Sequence, residues 1–186
     1  MICLGGFAAV RPDDYSHGRK AVSELGAVGA PNALGFNLLG FVAPGLLVIC
    51  LTYALTRSLR TRRCRVGAAL LFASGLSMAM AGVFPVDMEK RDSLTSILHL
   101  VAASLSGIFW TLSLFWLGRV LRRDLDLPLL GRMTPWFSLF LVANLAWQAV
   151  WQSTGAVLPG WGQRIGFGGF FLWTFWTGLA LWVRQR

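Results

Sequence analysis

The chain has 186 residues, 55% of them hydrophobic and only 13% charged, with a mean hydropathy of +0.60. A soluble domain carries about 25% charged residues to cover its surface, so an ordinary soluble protein is excluded, and a disordered one with it. The net charge is +9, yet the basic residues fall in short stretches between apolar runs rather than on one solvated patch, which argues against a nucleic-acid partner.

In chain order, Met1–Val10 is apolar but would cover only about 15 Å as a helix, half a bilayer core. It has neither the basic start nor the small-residue cleavage site of a signal peptide, and reads as the stub of a first helix. Five segments then reach the roughly 20 apolar residues needed to cross a hydrocarbon core: Phe36–Thr56, Gly67–Pro85, Ser96–Gly118, Thr134–Ser153 and Ile165–Val183. None contains Asp, Glu, Lys or Arg. The predicted fold is therefore an all-α polytopic transmembrane bundle, five full spans plus a short N-terminal half-span, forming one integral membrane domain over residues 1–186. Pro44 lies inside the first full span, where its missing donor should kink the helix. The cysteines Cys3, Cys50 and Cys64 are widely spaced and form no CxxC, so they mark neither a disulfide framework nor a thiolate metal site.

Sorting the charges by side orients the bundle. Arg57, Arg60, Arg62, Arg63 and Arg65, the stretch Arg119–Arg132, and the tail at Arg184 and Arg186 hold eleven of the seventeen basic residues, against Asp124 and Asp126 alone. That difference is the whole +9, because the opposite side carries six basic and six acidic residues. Lys and Arg in short loops are retained on the cytoplasmic side, so these loops and the C-terminus are expected in the cytoplasm of a cell membrane, next to anionic lipid. Trp116, Trp136 and Trp182 fall near the inner interface and Trp151 and Trp161 near the outer, the aromatic belt of a multi-pass protein.

Small and polar residues at helical spacing mark faces that point into a bundle. In the Ser96 span, His99, Ala103, Ser106, Gly107 and Trp110 share a side; Ser74, Ser77 and Ala81 do so in the preceding span, and Asn37, Gly40, Pro44 and Gly45 in the first. The Thr134 span is the most distinctive, with Asn144, Trp147, Gln148, Trp151 and Gln152 on one face running to the outer rim. Amides are costly to leave unpaired in lipid, so three of them must meet partners inside the bundle or line a wet cavity.

The outer side also collects His17, Ser23 and Glu24 in the segment SHGRKAVSELGAVGAPNALGFN, Asp87 after Pro85, and Gln163–Arg164 at the start of the last span. This suggests an outward-facing polar pocket that binds a small polar ligand or lipid headgroup, with Glu24, Asp87, His99 and Arg164 as its charged core and Asn144, Gln148 and Gln152 along one wall. The planar fork of Arg164 suits a phosphate or carboxylate. An alternative is an intramembrane lipid hydrolase in which a divalent metal, held from among His17, Glu24, Asp87 and His99, activates water; Ser23 with a histidine and Asp87 would be a nucleophilic version. The plainer alternatives are a noncatalytic scaffold or assembly partner, a solvated His17, Glu24 paired with Arg164 or Arg19, and Asp92–Ser93 as the N-cap of the next span.

SELGAVGAPNALGFN, GVFPVD, LHLVAA and GWGQRIGF, taken together, resemble the bacterial and archaeal membrane family known as domain of unknown function 998, from about Tyr15 to the C-terminus. The resemblance implies a six-helix pattern, with Met1–Val10 as the remnant of the first helix. It also implies that Ser23, Glu24, Asn32, Pro85, Asp87, His99, Gln163 and Arg164 are the family's marked positions. No reaction comes with it.

Overall fold

The computed structural model describes residues 2–10, 15–59, 61–124, 126–153 and 159–184, excepting the side chains of residues 2–4, 151, 152 and 159. Among these residues there is no strand. A short helix α1 (Ile2–Ala9) and a 3₁₀ turn (Val22–Gly26) precede five long helices: α2 (Ala33–Leu59), α3 (Cys64–Val83), α4 (Leu94–Leu121), α5 (Pro128–Ser153) and α6 (Pro159–Arg184). All five are long and apolar enough to cross a membrane, the pattern of a multi-pass membrane protein.

Most of the helices overrun the expected spans, for local reasons. Ser93 caps α4 by accepting the Ser96 N–H at 3.3 Å, so the helix starts where its first free amide is satisfied. Proline opens both α5 and α6, at a position where its missing N–H has no partner to lose. Within α2 the expected kink takes the form of a π segment, Leu38–Val42, in which the Ala43 N–H reaches back five residues to the Leu38 carbonyl. Pro44 cannot donate to the Gly40 carbonyl, and the wider turn just before it adapts the hydrogen-bond register to that loss.

The helices meet through small residues and hydroxyls. Gly45 of α2 and Gly75 of α3 lie backbone to backbone: a Cβ on Gly75 would stand 2.7 Å from the Gly45 carbonyl oxygen. Between α3 and α4, Ser74 Oγ donates to the Ser106 carbonyl and Ser113 Oγ to the Gly67 carbonyl, both at 2.9 Å. Between α4 and α5, Pro135 packs on Gly118, and Ser138 Oγ donates to the Thr111 carbonyl at 2.9 Å. Trp110 of α4 and Trp173 of α6 are fully buried and meet edge to face at 6.0 Å, with Phe170 tilted against Trp110 at 5.1 Å. The Trp173 indole N–H is satisfied by Thr134 Oγ1 at 3.1 Å.

At one end, Arg184 of α6 pairs with Asp124 and Asp126 of the α4–α5 loop, each at 3.0 Å. Two of the three basic stretches that the charge sorting placed together, Arg119–Arg132 and the tail, thus share an end of the bundle. The opposite end carries His99.

Replacing Gly75 by Val should destabilise the protein by about 1–3 kcal/mol, because the added atoms meet backbone that cannot yield. Gly178 has no atom within 4 Å of a Cβ, and Gly178→Ala should be neutral or slightly stabilising. Thermal unfolding of the two variants in the same detergent checks the contrast.

Candidate functional site

At the His99 end, the segment from Tyr15 to Asn32 is folded down onto the bundle by bonds from α6, α2 and the α3–α4 loop. The Val22 N–H donates to Gln163 Oε1 at 2.7 Å, Asn37 Nδ2 donates to the Gly26 carbonyl at 2.8 Å, and the Val28 N–H donates to the Val86 carbonyl at 2.9 Å. Arg164 is the strongest tie. Its side chain is buried in the first turns of α6, with Nη1 donating to the carbonyls of Gly160 (2.9 Å) and Lys20 (3.1 Å) and Nη2 to the Tyr15 hydroxyl (2.6 Å), while the guanidinium lies over the Tyr15 ring. A charged donor bonded to two carbonyls and a phenol fixes the path of the chain across the bundle.

His99 is buried, with Nδ1 at 2.8 Å from the Ala81 carbonyl and 2.9 Å from the Phe84 carbonyl. Carbonyls only accept, so Nδ1 carries the proton, and it satisfies oxygens left without partners at the end of α3. Phe41 meets the ring edge to face at 5.6 Å. With Nδ1 engaged, Nε2 is the ring nitrogen left for another partner.

A cavity of about 310 Å³ lies between the halves of α4, α5 and α6 near this end. His99, Ser104 and Gly107 line it from α4, Asn144 and Gln148 from α5, Gln163 from α6, and Ser23 from the 3₁₀ turn. Phe41, Met78, Leu141 and Phe170 supply apolar wall. Asn144 is buried and its Nδ2 donates to the Gly162 carbonyl at 3.0 Å, which leaves Oδ1 buried without a hydrogen-bond partner among the described residues.

The expected charged core does not assemble. Glu24 and Asp87 line a separate, more polar recess under the 27–31 loop, and Arg164 lines neither space. Each is held by local chemistry. Glu24 Oε1 accepts the Ala21 N–H at 2.8 Å and so closes the 3₁₀ turn on itself; Asp87 Oδ1 accepts the N–H groups of Glu89 (2.9 Å) and Lys90 (3.0 Å), an Asx-type turn. Ser23 and His99 share the cavity, but the proton of Nδ1 goes to carbonyls where a nucleophilic triad would need the Asp87 carboxylate. His17 is exposed and meets the Tyr15 ring edge to face at 5.5 Å. Among the described residues no three of His, Cys, Asp and Glu gather as a metal would require, so the set His17, Glu24, Asp87 and His99 is not brought together. Of the amide wall, Asn144 and Gln148 reach the cavity; Gln152 lies outside the described side chains.

The family model described as "Protein of unknown function (DUF998)" matches residues 2–180. The chain belongs to this family. The match takes in α1 as well as the five long helices, so the DUF998 pattern here extends further toward the N-terminus than the motifs from Tyr15 onward indicate. No curated protein and no solved structure matches the chain.

Tyr15 and the glycines Gly162, Gly166 and Gly169 are structural partners of this site that the sequence reading does not select, whereas Asn37 is one of the inward-facing residues it names. The glycines have a legible signal, their spacing of three and four; Tyr15 has none, because only the fold brings it to Arg164. Replacing Arg164 by Met should free the Tyr15–Ala21 segment at a cost of about 1.5–3 kcal/mol, the worth of hydrogen bonds from a charged group. Limited trypsin digestion should then cut faster at Lys20, while Lys at position 164, lacking the fork, should restore little.

Proposed function

We propose that this protein is a membrane-embedded binding protein, and that the cavity beside His99 opens toward the outer side of the cell membrane and receives a small polar molecule or the headgroup of a lipid. The observation that carries the reading is Asn144, a residue that lines the cavity and whose Oδ1 is a buried acceptor without a partner among the described residues. A buried polar atom left unpaired in an apolar surrounding costs about 1–3 kcal/mol, and a bound molecule offering a donor offsets that cost. His99, Gln148, Ser23 and Ser104 add further polar groups around the same space. The orientation rests on the concentration of arginine at the opposite end, which retained positive charge favours as cytoplasmic.

The charged groups first expected to hold the ligand serve the loop above the cavity. Arg164, Glu24 and Asp87 shape the Tyr15–Asn32 cover and its neighbour, and in this reading they position the roof without touching the ligand. No arrangement among the described residues favours the hydrolase.

Native mass spectrometry of protein extracted from its host membranes should show a retained small molecule on the wild type and loss of it in Asn144→Leu/Gln148→Leu. Indistinguishable spectra would sink the proposal. The double variant should stay folded, because each interhelical hydrogen bond in a membrane contributes only about 0.6 kcal/mol. A fluorescent-protein fusion at the C-terminus should fluoresce; silence of a well-expressed fusion would reverse the orientation.

A further inference from the structure

The residues around the cavity narrow the chemistry of its occupant. Among the described residues, none of its lining side chains is Asp, Glu, Lys or Arg. An anion or an ammonium placed there would be an uncompensated charge in a low-dielectric site, among the costliest arrangements in a protein. The nearest-placed guanidinium in sequence, Arg164, has Nη1 and Nη2 committed to Lys20, Gly160 and Tyr15 and does not line the cavity.

The hydrogen-bonding groups call for a donor that can also accept. Asn144 Oδ1 is an acceptor in want of a donor, and its identity is fixed, since the atom facing the Gly162 carbonyl must be the amide nitrogen. Nδ1 of His99 bonds two carbonyls, which leaves Nε2 for another partner, as an acceptor when the ring is uncharged. The hydroxyls of Ser23 and Ser104 and the Gln148 amide supply donors. A hydroxyl group both donates and accepts and carries no charge, so it answers this set where a phosphate (acceptor only) or an ammonium (donor only) does not.

The same space is open to the bilayer on one side. The helices α4 and α5 touch at Gly118–Pro135 and Thr111–Ser138, and the cavity lies beyond those contacts, where a Cβ on Gly107 would meet nothing within 4 Å. Leu100 and Leu145, one on each helix, flank it and are 67% and 51% exposed on the outer surface of the bundle. An apolar chain leaving between them would stay in hydrocarbon. At about 310 Å³ the cavity is at the small end for ligand sites, sized for the head of an amphiphile and not for the whole molecule.

We infer that the occupant is an uncharged, hydroxyl-headed membrane lipid, an acylglycerol or long-chain alcohol, whose hydroxyl is held by Asn144 and His99 and whose tail passes between α4 and α5 into the bilayer. The inference rests on the binding role proposed above and specifies its ligand class.

The test is a native mass spectrometry titration of the full chain in detergent with four probes. These are 1,2-dioctanoylglycerol, its 3-O-methyl ether, dioctanoyl phosphatidic acid, and glycerol. Dioctanoylglycerol should bind, with the ether and the phosphatidic acid each about tenfold or more weaker, the worth of one good buried hydrogen bond, and glycerol not retained. Gly107→Leu, which fills the mouth from a position with room for a side chain, should abolish binding without removing a polar group. His99→Asn, which keeps a donor for the Ala81 and Phe84 carbonyls but loses Nε2, should weaken dioctanoylglycerol about tenfold and leave the ether unchanged. Equal or tighter binding of the ether, the phosphatidic acid or free glycerol, if abolished by Gly107→Leu, would overturn the ligand class and leave the binding role standing. If no probe binds in a manner that Gly107→Leu abolishes, and extracted protein also carries no molecule that Asn144→Leu/Gln148→Leu releases, both fall.

Discussion

In hydrocarbon no water is available to complete a hydrogen bond, and every polar atom on a spanning helix must find its partner within the protein. The structure answers this demand in two ways. Thr52, Thr111 and Thr174 turn their hydroxyls back onto the carbonyl four residues earlier in their own helix, which satisfies the side chain but joins nothing. Ser74, Ser113, Ser138 and Trp173 instead reach across to a neighbouring helix. Where these cross-links fall, glycine removes the side chain that would hold the backbones apart, as at Gly67, where a Cβ would stand 2.8 Å from Leu117. Four buried side-chain atoms escape the demand among the described residues: Trp110 Nε1, Asn144 Oδ1, Arg164 Nε and Thr177 Oγ1. Of these, Asn144 Oδ1 alone belongs to a residue lining the cavity beside His99.

How much of this is legible in the sequence depends on whether the cause is local or tertiary. Span number follows from apolar length, and the inward face of α4 follows from helical period: His99, Ser106 and Trp110 are buried as their spacing requires. Asn144 and Gln148 reach the cavity because residues four apart share a helix face. Helix ends are less legible, since hydropathy stops at the last apolar residue while the backbone continues to a cap or a proline. The assembly of Glu24, Asp87 and Arg164 into one core is where the reading departs from the structure. Charge sorting assigns residues to an end of the bundle and says nothing of position across that end. That position is decided by the route of Tyr15–Asn32, which depends on bonds between residues up to 149 apart in sequence, such as Arg164 to Tyr15. A carboxylate in a loop also has local amides within reach, and both Glu24 and Asp87 take them.

His99 shows why a structural and a functional reading of one residue need not compete. Its Nδ1 closes the end of α3 by meeting two carbonyls that no helical N–H can reach. That bond does the work of an orienting partner in a catalytic or ligand-binding histidine: it fixes the tautomer and the ring plane, and it defines what the second nitrogen can do. Removing the whole ring therefore confounds two effects, loss of the α3 closure and loss of an acceptor at the cavity. A substitution to Ala cannot tell packing from binding here, whereas a side chain that keeps the donor can.

The cavity itself follows from which helix α5 accompanies. Near the arginine-rich end it is held to α4: Gly131 sits against the backbone of Leu121 and Arg122, and Pro135 against Gly118. Toward the other end its partner changes. Gly169, Gly166 and Gly162 of α6 present a groove into which Phe140, Asn144 and Gln148 of α5 fit in turn, and the Asn144 amide bonds the Gly162 carbonyl. With that seam filled, α5 follows α6, and the gap opens against α4, where Gly107 faces empty space. Asn144 thus ties α5 to α6 through its nitrogen, keeps a buried oxygen without a partner among the described residues, and lines the gap so formed. The packing that creates the cavity and the polarity that would select its occupant come from the two ends of one amide.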